Sequence, residues 1–251
     1  MEIAIVLILF ALLAYLLYDE LNEGSTVPKT SRKRLCDYYV AGSVFEDIPT
    51  VLKRGTRLLE LHVYSDEQDH PVVAKYHLNS GYNYAEDNLS FDECCVDIVN
   101  DAFPSKDPMI LSLVVHTDKS IVMDRIAETL QTTVRKHMIP DKDIQTRPLE
   151  SFANKLIIVS GGAIQGTALE PLVNLSWSDS GVRRLTLQQA LHPRDEPELM
   201  EFNRDRITVV APEPELETIR ANPDRPKAMG CQWNVYSKGP GGFVEKPSSL
   251  Q

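Results

Sequence analysis

Short apolar runs alternate with helical patterns along most of the chain beyond residue 35. The runs are rich in isoleucine, valine and leucine, a composition typical of buried strands. Turn residues and polar segments separate one run from the next. We therefore predict strands over Asp37–Ala41, Thr56–Val63, Pro71–Tyr76, Met109–Val115, Lys155–Ser160, Leu172–Leu175, Ile207–Ala211 and Gly230–Tyr236.

Two segments between these runs have the pattern of amphipathic helices. Lys119–His137 places Val122, Ile126, Leu130 and Val134 four residues apart, with mostly polar residues between them. Phe91–Ala102 follows Ser90, a residue type that caps helices. Shorter helices are predicted over Leu187–His192, Pro197–Asn203 and Glu213–Ala221. About eight strands separated by helices in about 200 residues predict a parallel sheet closed into a compact β/α barrel.

The N-terminal run Ile3–Tyr18 is different, because it contains no charged residue and has no polar face. As a helix it would be about 24 Å long, against an apolar bilayer core of about 30 Å. Tyr15 and Tyr18 suit the membrane–water interface at its end. We predict a single-pass membrane anchor over residues 1–20. A cleaved signal peptide and a buried or partner-bound helix are the alternatives; the first lacks a basic leader segment.

A basic linker, residues 21–35, follows the predicted anchor. It contains the polar stretch GSTVPKTS and a cluster of Lys29, Arg32, Lys33 and Arg34. Because positive charge is retained on the cytosolic side, the cluster predicts a cytosolic location for the C-terminal barrel. The same residues are suited to contact anionic lipid head groups. The barrel is expected over residues 36–239, and the Gly- and Pro-containing tail 240–251 is predicted to be irregular.

Amino-acid composition and net charge exclude some classes of function. The 251 residues carry 26 basic and 36 acidic side chains, a net charge of −10, and 43% are hydrophobic. These values exclude general disorder, and the acidic balance argues against nucleic acid as a partner. The four cysteines lack metal-ligand spacing and are expected to be reduced, buried thiols: Cys36, Cys94, Cys95 and Cys231.

Several predicted strands carry a recognisable pattern. RGTRLLELHVY resembles G-C-R-x-x-E-L-D-x-W, and DPMILSLVVH resembles P-x-I-L-S-L-E-N-H. MGCQWNVYSKGPGG, KLIIVSGG and FNRDRITVVAP also match motifs of the same family, and all five occur in family order between Cys36 and Gly242. The chain thus resembles phosphoinositide-specific phospholipase C. The resemblance implies a distorted TIM-like barrel without the accessory modules of larger members.

The resemblance also implies a reaction, in which the inositol 2-hydroxyl attacks phosphorus with the help of a general base, a general acid and usually Ca²⁺. The positions that match the family's histidine and metal-binding asparagine are Val44 and Phe45. The E-L-D pair is Glu60 and His62, and the carboxylate of L-S-L-E-N-H is Val114. One carboxylate remains where hard Ca²⁺ needs several oxygen ligands, so no metal site is expected.

A further motif of the family, Y-H-G, corresponds to Tyr76-His77 only if two residues are inserted after Pro71; an ungapped alignment puts Lys75 at the histidine. The lysines of the K-G-K pattern correspond to Val159 and Gly161. Arg206-Ile207-Thr208 matches the R-I-Y triplet and keeps its arginine, while Arg184 lies near the serine of S-F-S-E. Arg184 and Arg206 are therefore the candidate binding residues for an anionic group.

These substitutions favour a barrel that no longer catalyses. We expect a membrane-anchored structural or binding module that contacts the bilayer through Ile3–Tyr18. Its expected partners are proteins in an assembly, for example a virus particle with an internal membrane. The alternative is an active phosphoinositide phosphodiesterase with an altered site, in which Glu60, His62 and His77 act and Ca²⁺ is required. Glu60 and His62 are two residues apart on one strand, so their side chains share a face; His116, after the fourth strand, is a weaker candidate of the same kind.

Overall fold

A computed structural model of the chain describes residues 32–44, 47–74, 76–77, 81–82, 88–211, 224–235 and 242–251. The strands are β1 Tyr38–Val44, β2 Leu58–Ser65, β3 Pro71–Val73, β4 Tyr76–His77, β5 Gly81–Tyr82, β6 Leu89–Ser90, β7 Met109–Val115, β8 Leu156–Ser160, β9 Leu175–Ser176, β10 Val182–Thr186, β11 Ile207–Ala211, β12 Trp233–Asn234 and β13 Phe243–Glu245. The α-helices are α1 Ile48–Lys53, α2 Phe91–Asp101, α3 Ser120–Thr133, α4 Leu187–Leu191, α5 Glu196–Asp205 and α6 Asp224–Ala228.

Parallel strands form a nearly closed barrel. Their order is β10-β11-β12-β1-β2-β7-β8-β9, and each neighbouring pair is hydrogen-bonded in parallel. Within the described part of the chain no ladder joins β9 to β10, so the barrel has a seam there. Because all eight strands run the same way, their amino ends meet at one end of the barrel and their carboxyl ends at the other, which we call the mouth. The predicted α/β barrel is confirmed.

Alternating side chains divide the apolar residues into two cores. Leu58, Ile110 and Ile157 point into the barrel and pack there with Val209 and Trp233. Residues next to them on the same strands face outward and pack against the helices, as Leu59 does with Ile98 of α2. This alternation fixes the direction of every polar side chain on the strands. On β2 it directs Glu60 and His62 into the barrel, on the same side as Leu58.

The predicted helices that the structure describes begin within one residue of the expected position. Ser90 caps α2 in a reciprocal capping box with Glu93, and Asp195 accepts a hydrogen bond from the backbone of Glu198 at the start of α5. The predicted helix Lys119–His137 is shorter, since α3 ends at Thr133 and a 3₁₀ turn over Arg135–His137 follows. The predicted helix Glu213–Ala221 lies outside the described residues.

The C-terminal tail differs from the irregular extension that we predict. Its strand β13 pairs antiparallel with β1, with Tyr38 opposite Glu245 and Val40 opposite Phe243. Lys246 is only 1% exposed, and its ammonium group donates to the carbonyls of Cys36 and Asn203 at 3.1 and 2.7 Å. Residues 242–251 therefore form part of the fold at the amino end of the barrel.

The end of the predicted linker is also held by the barrel. Lys33 pairs with Glu245 at 2.5 Å, and Arg34 pairs with Asp205 at 3.0 Å. The predicted anchor Ile3–Tyr18 lies outside the described residues. Among the residues that the structure does describe, no helix combines the length and apolarity needed to cross a membrane. All four cysteines are free and buried, as predicted.

Candidate functional site

Glu60 lies at the centre of a polar cluster near the mouth of the barrel. Its carboxylate is fully buried, and it faces Ser112 on β7, whose backbone lies opposite Glu60 in the sheet. The Ser112 hydroxyl donates to Glu60 Oε2 at 2.8 Å. His62 Nε2 lies 3.2 Å from Glu60 Oε1. Since a carboxylate accepts hydrogen bonds, this nitrogen of His62 is the donor.

Arg184 supplies the positive charge that balances Glu60. It reaches across the barrel from β10, with Nη1 at 2.5 Å from Oε2 and Nη2 at 2.8 Å from Oε1. Burial by itself would raise the pKa of Glu60, but the hydrogen bonds from Arg184 and His62 outweigh it and lower the pKa to about 2. The carboxylate is consequently ionised at neutral pH, and both of its oxygens are engaged.

Trp177 covers Arg184 at the mouth. The guanidinium carbon lies 5.0 Å from the centre of the indole ring. The ring occupies the space beside Gly161, where an added Cβ would lie 2.7 Å from Trp177 Cε2 and closer still to Nε1. A side chain at position 161 and the observed Trp177 ring thus exclude one another. The resemblance places a lysine at this position, and here the indole fills the place of its side chain.

A second imidazole extends the cluster to the surface. His62 Nδ1 lies 2.9 Å from His116 Nε2. The His116 ring stacks between His62 and Tyr64, with centroid distances of 5.0 and 4.3 Å. Because His62 donates from Nε2 to Glu60, a neutral His62 accepts from His116 at Nδ1. A continuous hydrogen-bonded chain therefore runs from the buried Glu60 to His116 at the exposed rim.

His116 is held in its neutral form. Desolvation of the stacked ring, together with the electrostatic effects of the neighbouring His62 and of the Arg184 cation, lowers its pKa to about 4, even though its outer edge is exposed. Glu60 acts in the opposite direction but more weakly. At neutral pH the exposed end of the chain is therefore an uncharged imidazole.

Arg206 does not lie with Glu60. It follows α5 and precedes β11, so it lies at the amino end of that strand. The β11 side chains in the inner core are Ile207, Val209 and Ala211. The predicted match of Arg206 to the arginine of R-I-Y does not bring this residue to Glu60, and its role in binding an anionic group stays a prediction. Arg206 instead lines a shallow groove at the seam with Arg183, Arg184 and Phe202.

The structure places the backbone of His77 in the two-residue strand β4, paired with β5. Its proximity to Glu60 stays a prediction. Three members of the cluster were not among the residues predicted for the site: Trp177, Ser112 and Tyr64. Ser112 belongs to the matched segment DPMILSLVVH, so its place opposite Glu60 could have been found from the strand register. Trp177 carries no comparable signal.

Comparison with known proteins identifies the family of the chain. The sequence model described as phosphatidylinositol-specific phospholipase C, X domain, matches residues 34–160. The chain belongs to this family. A search of curated proteins found no match to the chain.

Solved structures of the phospholipase C type share the barrel. S. officinalis PLC21 matches with a TM-score of 0.67 at 15% identity, over 94% of this chain. This chain spans only 41% of that protein's length. The calcium-dependent phosphoinositol-specific phospholipase C of Pseudomonas sp matches with a TM-score of 0.59 at 10% identity, covering 88% of this chain and 99% of that one. At such identities the likeness shows the fold alone.

The described residues at the positions that match the family's metal site do not fit the calcium ion that the family implies. Val114, which the resemblance puts at a carboxylate position, lies opposite His62 in the sheet. Val44 lies opposite Glu60, and Phe45 is outside the described residues. Glu60 is then the remaining carboxylate of the matched set, and Arg184 already occupies both of its oxygens. Within the described residues no group of three histidine, cysteine or acidic side chains is placed to hold a metal ion.

Proposed function

We propose that this chain is a phospholipase C-like barrel that does not hydrolyse phosphoinositides and serves as a membrane-tethered binding or structural module. The observation that carries this proposal is the two-point ion pair between Glu60 and Arg184. In the family's pattern the carboxylate at the position of Glu60 would face a metal ion, and here it faces the guanidinium of Arg184 instead. Glu60 engages both Nη1 and Nη2 of this guanidinium, so neither the cation nor the carboxylate is directed at a bound Ca²⁺ or at a phosphoryl oxygen.

The packing around Trp177 supports the same proposal. The indole covers Arg184 and takes the space that a side chain at position 161 would need. A phosphorylated inositol ring would have to displace this aromatic cover before it reached Glu60. The loss of a general base costs about 10²- to 10⁴-fold in rate, and the loss of the metal removes several kcal/mol more of charge stabilisation.

Tethering and assembly complete the proposal. The apolar run Ile3–Tyr18 would anchor the chain in a bilayer, with the barrel on the cytosolic side. Protein partners in a larger assembly, such as a virus particle with an internal membrane, would then use the barrel as a scaffold. An acidic chain of net charge −10 is suited to such a tethered role more than to free approach to anionic lipid.

One observation favours a second candidate, an active phosphodiesterase with an altered site. The chain Glu60, His62 and His116 links a buried carboxylate to an exposed neutral imidazole, an arrangement able to accept a proton from a hydroxyl. In this candidate Glu60, His62 and His77 act as predicted from sequence.

A direct assay separates the two candidates. The full chain is incubated with vesicles containing phosphatidylinositol, with Ca²⁺ or with a chelator, and the release of water-soluble inositol phosphate is measured. We expect release at the rate of a blank in both conditions. Turnover that is lost in both Glu60→Gln and His62→Gln, and kept in the surface variant Glu128→Gln, would replace the proposed function by the second candidate. His77→Ala then tests whether this residue takes part.

A further inference from the structure

Acids follow two strands at the mouth of the barrel, and basic residues that form no ion pair within the described part of the chain lie at its amino end, where the acids Asp205 and Glu245 are paired with Arg34 and Lys33. Asp66, Glu67 and Asp69 follow β2, and Asp118 follows β7, so these acids lie around the mouth. Basic residues collect at the opposite end. Lys106 lies three residues before β7, and Lys155 directly precedes β8. An acidic mouth is repelled by an anionic surface, whereas a basic amino end is attracted to it.

The basic residues at the amino end form one surface, which we define as Lys106, Arg135, Lys136 and Lys155. Backbone contacts hold them together: Asn154 donates from its backbone to the carbonyl of Lys106 at 2.8 Å. The Lys155 ammonium donates to the carbonyl of Lys136 at 3.2 Å. Lys106, Arg135 and Lys136 are exposed, and Lys155 is partly exposed.

His137 lies beside this surface, and the neighbouring ammonium groups affect its pKa. Its ring stacks on Phe103 at 3.9 Å between centroids, and its Nδ1 contacts the carbonyl of Asn154 at 2.8 Å. Burial lowers the pKa of His137, and the bond to Asn154 opposes that effect. The ammonium groups of Lys136 and Lys155 lower the pKa further. Within the described part of the chain, none of the four basic residues of this surface forms an ion pair with an acid. Nine other basic residues there do form such pairs: Lys33, Arg34, Arg57, Lys119, Arg147, Arg183, Arg184, Arg204 and Arg225.

The chain itself enters the fold at the same end. Residues 32–37 precede β1, and the carbonyl of Lys33 accepts from the backbone of Leu149, which leads through a 3₁₀ turn to Lys155. The predicted anchor ends at residue 20, so about a dozen residues join it to the fold and span at most about 40 Å. A tethered barrel therefore presents its amino end to the bilayer first.

We propose that the basic surface of the amino end docks on the anionic lipid of the tethering membrane, so that the mouth, with Glu60 and His116, faces away from it. The orientation of the barrel rests on the proposed tether. The attraction to anionic lipid comes from Lys106, Arg135, Lys136 and Lys155. Each basic residue close to an anionic bilayer strengthens binding by about fivefold. The mouth is then open to a protein partner and not to the lipid of its own membrane.

Fluorescence quenching tests the orientation in the full chain. The four native cysteines are buried, so a single introduced surface cysteine is labelled selectively: Ser151→Cys at the amino end, or Asp118→Cys beside the mouth. The protein is placed in vesicles of phosphatidylcholine, with or without phosphatidylserine, that contain head-group spin-labelled lipid. We expect the Ser151→Cys dye to be quenched strongly in phosphatidylserine vesicles and the Asp118→Cys dye weakly. Stronger quenching beside the mouth, or equal quenching at both sites, would overturn the proposal.

A matched pair of charge reversals tests the surface. We expect docking to weaken by about a hundredfold in the triple variant Lys106→Glu, Lys136→Glu, Lys155→Glu. Docking of the parent chain should also be abolished by 1 M salt. Lys119→Glu, Arg125→Glu and Arg194→Glu together change the net charge equally and should leave docking intact. Equal loss in both triple variants would show that net charge, not this surface, determines binding.

Carbonate extraction of the same vesicles separates this inference from the proposed tether. Protein that stays in the pellet but shows no difference between the two dyes refutes the docking surface alone. Protein that is released refutes the tether. Docking is then decided by co-sedimentation with phosphatidylserine vesicles, which must be lost in the amino-end triple variant and kept in the control.

Discussion

Arg184 and Glu60 meet across the barrel from β10 and β2, and each nitrogen of the guanidinium fork faces one carboxylate oxygen, at 2.5 and 2.8 Å. Arg184 retains 21% side-chain exposure and Glu60 none. The pair joins the two halves of the barrel on either side of the β9–β10 seam. It also neutralises the carboxylate that in the family's pattern would face a metal ion.

Removing the cation should destabilise the fold. Arg184→Met leaves Glu60 buried without its partner, and breaking such a pair costs about 3–5 kcal/mol. Urea unfolding followed by tryptophan fluorescence measures the change. The double variant Glu60→Gln, Arg184→Met removes both charges and should recover at least half of the loss. Arg183→Met breaks the exposed pair with Glu198 and should cost at most about 1 kcal/mol; an equal loss for Arg183→Met and Arg184→Met would contradict the role assigned to Arg184.

Acid should destabilise the protein in two stages. The pKa of His116 is lowered to about 4 from 6.5, so from pH 6.5 downwards the unfolded chain binds a proton that the folded chain does not. Stability is then lost between pH 6.5 and 4. Glu60, with a pKa lowered to about 2 from 4.5, adds a loss below pH 4.5 as the unfolded carboxylate is protonated first.

The variant His116→Gln isolates the first stage. Its free energy of unfolding should decrease less between pH 6.5 and 4.5 than that of the parent chain. The decrease that the variant still shows comes from other groups such as His137, whose pKa is also lowered. Urea titrations at intervals of half a pH unit measure both curves. Parallel curves for the two proteins would show that His116 does not titrate as described.

Gly161 should not accept a side chain while Trp177 covers the mouth. In Gly161→Ala the new methyl group overlaps the indole ring, and overpacking of this kind costs about 1–3 kcal/mol. Adding Trp177→Ala removes the overlap, so thermal unfolding should show a smaller effect of Gly161→Ala in that background. Gly162→Ala meets only the Ser178 side chain and serves as the control. If Gly161→Ala costs the same with and without Trp177, the indole does not occupy that space.

The buried Lys246 should hold the tail to the barrel. Lys246→Met keeps the apolar stem and removes the charged donor from the carbonyls of Cys36 and Asn203, which then keep Gln232 Nε2 as their donor, at a cost of about 1–3 kcal/mol. Glu245→Gln, which weakens the exposed pair with Lys33, should change the free energy of unfolding by at most about 1 kcal/mol. Chemical denaturation compares the two, and an unaffected Lys246→Met variant would contradict the structural role of the tail.

The sequence patterns predict the barrel because its inner and outer faces are both apolar on most strands. β7 and β11 match their predicted ranges, and β8 differs by one residue at its start. β10 was not predicted, since Arg183 and Arg184 interrupt any apolar run there. Those two residues point to opposite faces, Arg183 to Glu198 on α5 and Arg184 to Glu60 inside the barrel. Periodicity cannot show such a strand when its partners come from distant parts of the chain.

The candidate site could be predicted only in part for the same reason. Glu60 and His62 were found because they share a strand and a matched motif. Arg184 was expected to bind an external anion, and its partner inside the barrel was not foreseen, because the two are 124 residues apart. Arg206 was predicted to bind an anionic group together with Arg184, and the structure places it before the start of β11, away from Glu60. A tail with several glycines and prolines gave no sign that Lys246 would be buried.

Calcium binding tests the central claim, that Arg184 takes the place of a metal ion at Glu60. The full chain is titrated with Ca²⁺ up to 10 mM by calorimetry, and its unfolding temperature is measured in parallel. A ligand at 100 times its dissociation constant would stabilise the fold by about 2.7 kcal/mol, so binding would be readily detected. We expect no saturable heat and no shift in unfolding temperature. Saturable binding that Glu60→Gln abolishes would contradict it.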